Sequence, residues 1–213
     1  MDYTNLVILV MELVGTVAFA SSGAMLAIRK EMDLFGVCVL GVTTSVGGGM
    51  IRDLLLGITP PSMFRNPIYA VVAISISAII FLVLFLHKKS SNAKIAVFYE
   101  RIMLLFDTVG LGIFTVVGIN IARRAGYTQF FLLVCVGVIT GVGGGLLRDI
   151  MAQEKPYILT KHVYACASIL GAVTCVISYS YIGNLKSMML GFAVVLLIRF
   201  LATYYHWNLP KIK

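Results

Sequence analysis

The chain has 213 residues, of which 60% are apolar and 12% charged, with a mean hydropathy of +0.97 and a net charge of +8. Soluble domains hold about 45–50% apolar and about 25% charged residues, so this composition excludes a soluble globular protein. Most of the basic residues sit in short segments between apolar runs and form no continuous stripe, which argues against nucleic acid as a partner.

In chain order the apolar stretches fall at 6–28, 34–57, 67–86, 101–122, 127–150, 161–182 and 187–206, each of roughly the 17–25 residues that a spanning helix needs. The fold class is therefore an all-α membrane protein of seven transmembrane helices in a single domain, 1–213, with no room for a soluble one. Ala18-Phe19-Ala20 in span 1 imitates a cleavage site, but the preceding residues carry Asp2 and no Lys or Arg, and the apolar run continues to Ile28. Span 1 thus reads as a membrane helix and not a signal peptide. Threading the chain through seven spans puts Arg29, Lys30, Lys88, Lys89, Lys94, Arg101, Lys155, Lys161, Lys211 and Lys213 on one side, against Arg65, Arg123, Arg124 and Lys186 on the other. The positive-inside rule then places the N terminus outside and the C terminus in the cytoplasm. Cys38, Cys135, Cys166 and Cys175 lie within spans without C-x-x-C spacing and read as packing residues. His87, His162 and His206 are isolated near span ends, which gives no ligand spacing for a transition metal. No G-x-S-x-G or paired catalytic carboxylates point to an enzyme, and no cofactor is expected. Tyr204, Tyr205 and Trp207 look like interfacial anchors.

The chain also resembles itself. Thr44-Ser45-Val46-Gly47-Gly48-Gly49-Met50-Ile51-Arg52-Asp53 aligns with Thr140-Gly141-Val142-Gly143-Gly144-Gly145-Leu146-Leu147-Arg148-Asp149 at an offset of 96. At an offset of 95, Glu12, Gly15, Phe19 and Gly23 meet Asp107, Gly110, Phe114 and Gly118, while Pro61, Tyr69 and Ala70 meet Pro156, Tyr164 and Ala165. Repeat one spans about 6–86, repeat two about 101–182, and the extra helix about 187–206. Three spans per repeat is an odd number, so the second copy enters the membrane from the opposite side. Such inverted repeats place a pathway between the halves, near the midplane, where corresponding helices are interrupted. Of 20 glycines, eight lie between Gly15 and Gly57 and nine between Gly110 and Gly145, so spans 1, 2, 4 and 5 are the expected functional core.

A glycine triplet costs about 1 kcal/mol of helix propensity per residue. Gly47, Gly48 and Gly49 in span 2, with Gly143, Gly144 and Gly145 in span 5, are thus candidates to break their helices. A break would turn backbone carbonyls near Gly47 and Gly143 toward the interior, where they could replace a monovalent cation's hydration water. The alternative is close helix packing through small residues. Arg52, Asp53, Arg148 and Asp149 cost about 2.5–3.5 kcal/mol each if exposed to lipid, so they face inward, either as salt bridges between the repeats or as flanks of a water-filled path. Asp107 and its counterpart Glu12 would attract cations, although Glu12 is also near enough to the helix end to be interfacial. Thr44, Ser45, Thr140 and Gly141, with Ser21, Ser22, Thr43 and Thr108, either line the path or, for the hydroxyls, bond back along their own helix.

Seven spans as two inverted triplets plus one, with Gly47-Gly48-Gly49-x-x-Arg52-Asp53 and Gly143-Gly144-Gly145-x-x-Arg148-Asp149 in the second helix of each triplet, resemble the prokaryotic trimeric intracellular cation (TRIC) channel family. The resemblance implies a homotrimer in membrane lipid, one pore inside each subunit lined by helices 1, 2, 4 and 5 and kinked at the glycines, and K+ or Na+ as the permeant ion. The Lys-Glu-Val motif through which animal members bind a phosphoinositide is absent, so the resemblance does not extend to that regulation. Inverted repeats serve alternating access as well as conduction, and the same domain family is also classified as glycine transporters. Secondary transport of a small amino acid such as glycine is the alternative reading.

Overall fold

Inside a bilayer no water is present to satisfy backbone N–H and C=O groups, so apolar runs of this length have the helix as their available form. The computed structural model describes residues 3–86, 93–160, 163–205 and 207, with the side chains of 93–98 and 160 left aside. Among the described residues the helices are α1 (Tyr3–Arg29), α2 (Leu34–Leu55), α3 (Ser62–Arg65), α4 (Ile68–Leu86), α5 (Ala93–Arg124), α6 (Phe130–Met151), α7 (Tyr157–Thr160), α8 (Tyr164–Ile182) and α9 (Asn184–Tyr204). The seven long ones supply the spans, and α3 and α7 are single turns that hydropathy does not register. His87, His162 and His206, with Lys88, Lys89, Lys161, Lys211 and Lys213, lie outside the described residues.

The ends of the helices follow from local chemistry. Asp33 caps α2 by accepting the Gly36 N–H at 2.8 Å, the expected use of a short carboxylate at an N-cap. After α2, Gly57 takes φ +69° and Ile58 N–H returns to the Asp53 carbonyl at 2.8 Å; after α6, Gln153 takes φ +54° and Glu154 N–H returns to the Asp149 carbonyl at 2.9 Å. These corresponding turns differ in one respect: the second forces a residue with a Cβ into the left-handed region that glycine occupies freely.

Helices α1, α2, α5 and α6 form the centre, α4 packs on α1 and α2, α8 on α6 and α5, and α9 on α8 and α5. Of α4 only Ala73 and Ser77 are buried, and one side of this very apolar helix, with Val71, Ile74, Ile79 and Leu82, faces outward. At the centre, residues that correspond between the repeats touch each other. Phe19 and Phe114 stack with ring centroids 5.3 Å apart, and each lies against the other repeat's glycine, Phe19 on Gly110 and Phe114 on Gly15.

The glycine triplets do not break their helices. Both α2 and α6 run through them without interruption, and the expectation of freed carbonyls near Gly47 and Gly143 as cation ligands is corrected: in an unbroken helix those carbonyls accept from the N–H four residues on. The missing side chains serve contact instead. A Cβ on Gly48 would lie 2.3 Å from the Thr140 carbonyl oxygen, and one on Gly144 would lie 2.0 Å from the Thr44 carbonyl oxygen. The two helices therefore cross backbone to backbone, which is the small-residue packing known from membrane helix pairs.

Candidate functional site

Two charged clusters terminate the central helices. At the end of α2, Asp53 Oδ1 accepts Arg52 Nε at 2.8 Å and pairs with Nη2 at 2.8 Å, while its Oδ2 accepts the Ser62 N–H at 2.7 Å. At the end of α6, Asp149 Oδ1 accepts Arg148 Nε at 2.8 Å and forms an ion pair with Nη2 at 2.8 Å, and its Oδ2 accepts the Tyr157 N–H at 2.8 Å. Each aspartate thus fixes an arginine and also ties the spanning helix to the single turn that follows. The Arg–Asp pairs lie within each repeat and do not join the repeats.

The clusters occupy opposite ends of the bundle. Arg124 donates to Asn5 Oδ1 at 2.7 Å and the Tyr127 hydroxyl to the Leu56 carbonyl at 3.3 Å, which places the start of α1, the end of α2 and the α5–α6 turn together. At the other end Arg29 and Lys30 pair with Glu154 at 2.6 and 3.2 Å. Burial alone would raise the Glu154 carboxyl, but its bonds with Lys30 and Arg29 outweigh that and hold it below the usual carboxylate range.

From these similar frames the repeats diverge. Glu12 accepts the Tyr69 hydroxyl and makes no ion pair with Arg52. Between them opens a cavity of about 300 Å³ whose walls include Glu12, Thr16, Ser45, Gly49, Arg52, Asp53 and Tyr69, with Phe114, Val117 and Ile121 from repeat two. In repeat two, Asp107 pairs directly with Arg148 Nη1 at 2.5 Å, and both are completely buried. Arg148 also donates to Ser22 Oγ at 2.6 Å and lies over the Tyr157 ring at 5.3 Å. Asp107 Oδ2 and the Tyr164 hydroxyl are buried, with no hydrogen-bond partner among the described residues. A closed charged cluster thus stands at one end and an open one at the other.

The expected site residues separate accordingly. Ser45, Gly49, Arg52 and Asp53 line the cavity. Gly145, Asp107, Arg148 and Asp149 meet at the closed end. Thr44, Gly48, Thr140 and Gly144 sit in the helix crossing, Gly47 and Gly143 beside it, and Gly141 against Thr115 of α5. The hydroxyls of Ser21, Thr44, Thr108 and Thr140 bond back to the carbonyl four residues earlier, and Ser45 to the one three residues earlier. The motifs do not reach Tyr69, Tyr157, Tyr164 and Arg199. The first and third were paired by the repeat offset; Arg199, 2% exposed in the last third of α9, lies over the Tyr164 ring at 4.9 Å, and a charge inside an apolar span is itself a signal.

Comparison with known proteins now bears on this arrangement. A family model described as glycine transporter matches residues 9–85 and 104–180, two copies separated by the repeat offset. The chain is 40% identical over 203 residues to the inner membrane protein YadS of Escherichia coli K12, covering 94% of this chain and 93% of that one. It is 32% identical to the membrane protein YvgT of Bacillus subtilis, covering 94% of each. Among solved structures it is similar to the Rhodobacter sphaeroides orthologue of the trimeric intracellular cation channel, with a TM-score of 0.84, 32% identity and coverage of 94% and 99%. It is likewise similar to a structure that explains conductance through TRIC cation channels, with a TM-score of 0.82, 36% identity and 96% coverage of each. The chain belongs to the UPF0126 family of integral membrane proteins and shares the fold of the prokaryotic TRIC channels.

Proposed function

We propose that the protein is a passive channel for the monovalent cations K+ and Na+, with one pore in each subunit of a homotrimer and two inverted repeats around each pore. The observation that carries this is the cavity wedged between the repeats, walled by α1, α2, the α3–α4 segment and α5, in a chain similar over nearly its whole length to TRIC cation channels. The path runs along the α2 ridge Ser45, Gly49 and Arg52, passes beside the Gly48–Gly144 crossing, and continues along the corresponding α6 ridge Gly141, Gly145 and Arg148. In this reading the structure is a closed state, stopped where Asp107 and Arg148 pair with both side chains completely buried. Non-helical backbone plays no part; ions meet side chains and water. The charge bias between the loops puts the Glu12 end outside and the Glu154 end in the cytoplasm of a prokaryotic inner membrane. Efflux of K+ from proteoliposomes, followed with a potential-sensitive dye, tests the proposal: protein-dependent efflux without a co-substrate is expected, and sealed vesicles with verified insertion would overturn it.

A second reading, secondary transport of a small amino acid such as glycine, is favoured by the description of the matching family model and by a cavity open at one end while its counterpart is shut. Saturable uptake of labelled glycine against no K+ current separates it from the first.

A further inference from the structure

The open cavity holds opposite charges, Glu12 and Arg52, that form no ion pair with each other. Arg52 is 5% exposed, and its Nε and Nη2 are committed to Asp53, but its Nη1 has no hydrogen-bond partner among the described residues. Glu12 commits Oε2 to Tyr69 and leaves Oε1 without one. The two side chains share a cavity wall without forming an ion pair. Because Arg52 lines the cavity, this donor is available to something that enters. The charged groups of the wall are Glu12, Asp53, Arg52 and Arg65, which sum to zero. A lone anion drawn to Arg52 is repelled by Glu12, and a lone cation drawn to Glu12 is repelled by Arg52. A molecule bearing both charges satisfies both. The volume of about 300 Å³ lies at the lower end of small-molecule pockets, which suits a small occupant.

We propose that this cavity binds a small α-amino acid as its zwitterion, with the carboxylate on Arg52 Nη1 and the ammonium on Glu12 Oε1. The proposal deepens the second reading above by giving it a site, and rests on that reading for its ligand class. Binding is measured without transport, so the two fail separately. Isothermal titration of the full-length protein in detergent with glycine is the test, with acetate and methylammonium as probes carrying one charge each. Saturable glycine binding is expected, with each single-charge probe weaker by about tenfold or more. Glu12→Gln should weaken glycine by a similar factor. Met63→Trp, which fills the cavity from α3 without touching an ion pair, provides a second variant should the first be poorly folded, and should also weaken binding. No saturable glycine signal from folded protein, acetate or methylammonium binding as tightly as glycine, or affinity unchanged in both variants would each overturn the site. Glycine binding without glycine uptake would instead refute the transport reading and leave the site standing.

Discussion

Replacing Gly144 by alanine places a methyl carbon 2.0 Å from the Thr44 carbonyl oxygen, where ordinary contact begins at 3.4 Å. The obstacle is backbone, so relief requires α2 and α6 to part by on the order of 1 Å, enough to forfeit a quarter to a half of the dispersion energy along the crossing. Overpacking of this kind costs about 1–3 kcal/mol, and the upper end applies because no side chain can swing away. Alanine returns about 1 kcal/mol of helix propensity, leaving a net loss of about 2 kcal/mol. Gly49→Ala is the internal control: its Cβ would meet nothing nearer than Arg52 Nη2 at 3.5 Å, so the same propensity term should leave it neutral or stabilised by up to about 1 kcal/mol. Equilibrium unfolding of the purified protein in mixed micelles reads the difference. If Gly49→Ala destabilises as much as Gly144→Ala, the triplets supply backbone freedom and not contact, and the packing argument fails.

Asp107→Asn is expected to cost about 3–5 kcal/mol, because it leaves Arg148 buried without one of its carboxylates. Glu12→Gln, at the corresponding position beside the cavity, should stay within about 1 kcal/mol in the same assay. Gln153→Gly should raise stability by up to about 1 kcal/mol by removing a Cβ from φ +54°, visible as a higher melting temperature; no change would show that the turn is unstrained. The Glu154 carboxyl titrates below its ordinary 4.5 in the folded protein, so its contribution is complete above that value and disappears as the pH falls through the lower, folded one. Glu154→Gln should therefore flatten the stability profile below about pH 4.5 and leave its shape at neutral pH unchanged; an unaltered acid limb would refute the assignment.

Much of the architecture was legible because membrane helices announce themselves by length and because the repeat is written twice. The repeat offset paired Glu12 with Asp107 and Tyr69 with Tyr164, although nothing in the sequence marked the two tyrosines as members of the charged clusters. The triplets were harder to read, since a missing Cβ records either a need to bend or a need for proximity. What decides between them, the Thr44 and Thr140 carbonyls, comes from the opposite repeat and reaches Gly144 and Gly48 only once the chain has folded. The unequal state of the two ends was equally invisible: Arg52-Asp53 and Arg148-Asp149 have the same sequence, yet only Arg148 reaches an acid in its repeat's first helix. The single turns α3 and α7 were missed because four residues carry too little periodicity, although the prolines before them and the aspartates that bind their first N–H groups mark them in retrospect.

The most direct test of the central claim is single-molecule recording of the purified protein in a planar bilayer under a KCl gradient. Discrete current steps reversing near the K+ equilibrium potential are expected of a passive cation channel. Silence across voltages, with the protein verified as inserted, or steps reversing near the Cl− potential, would contradict it.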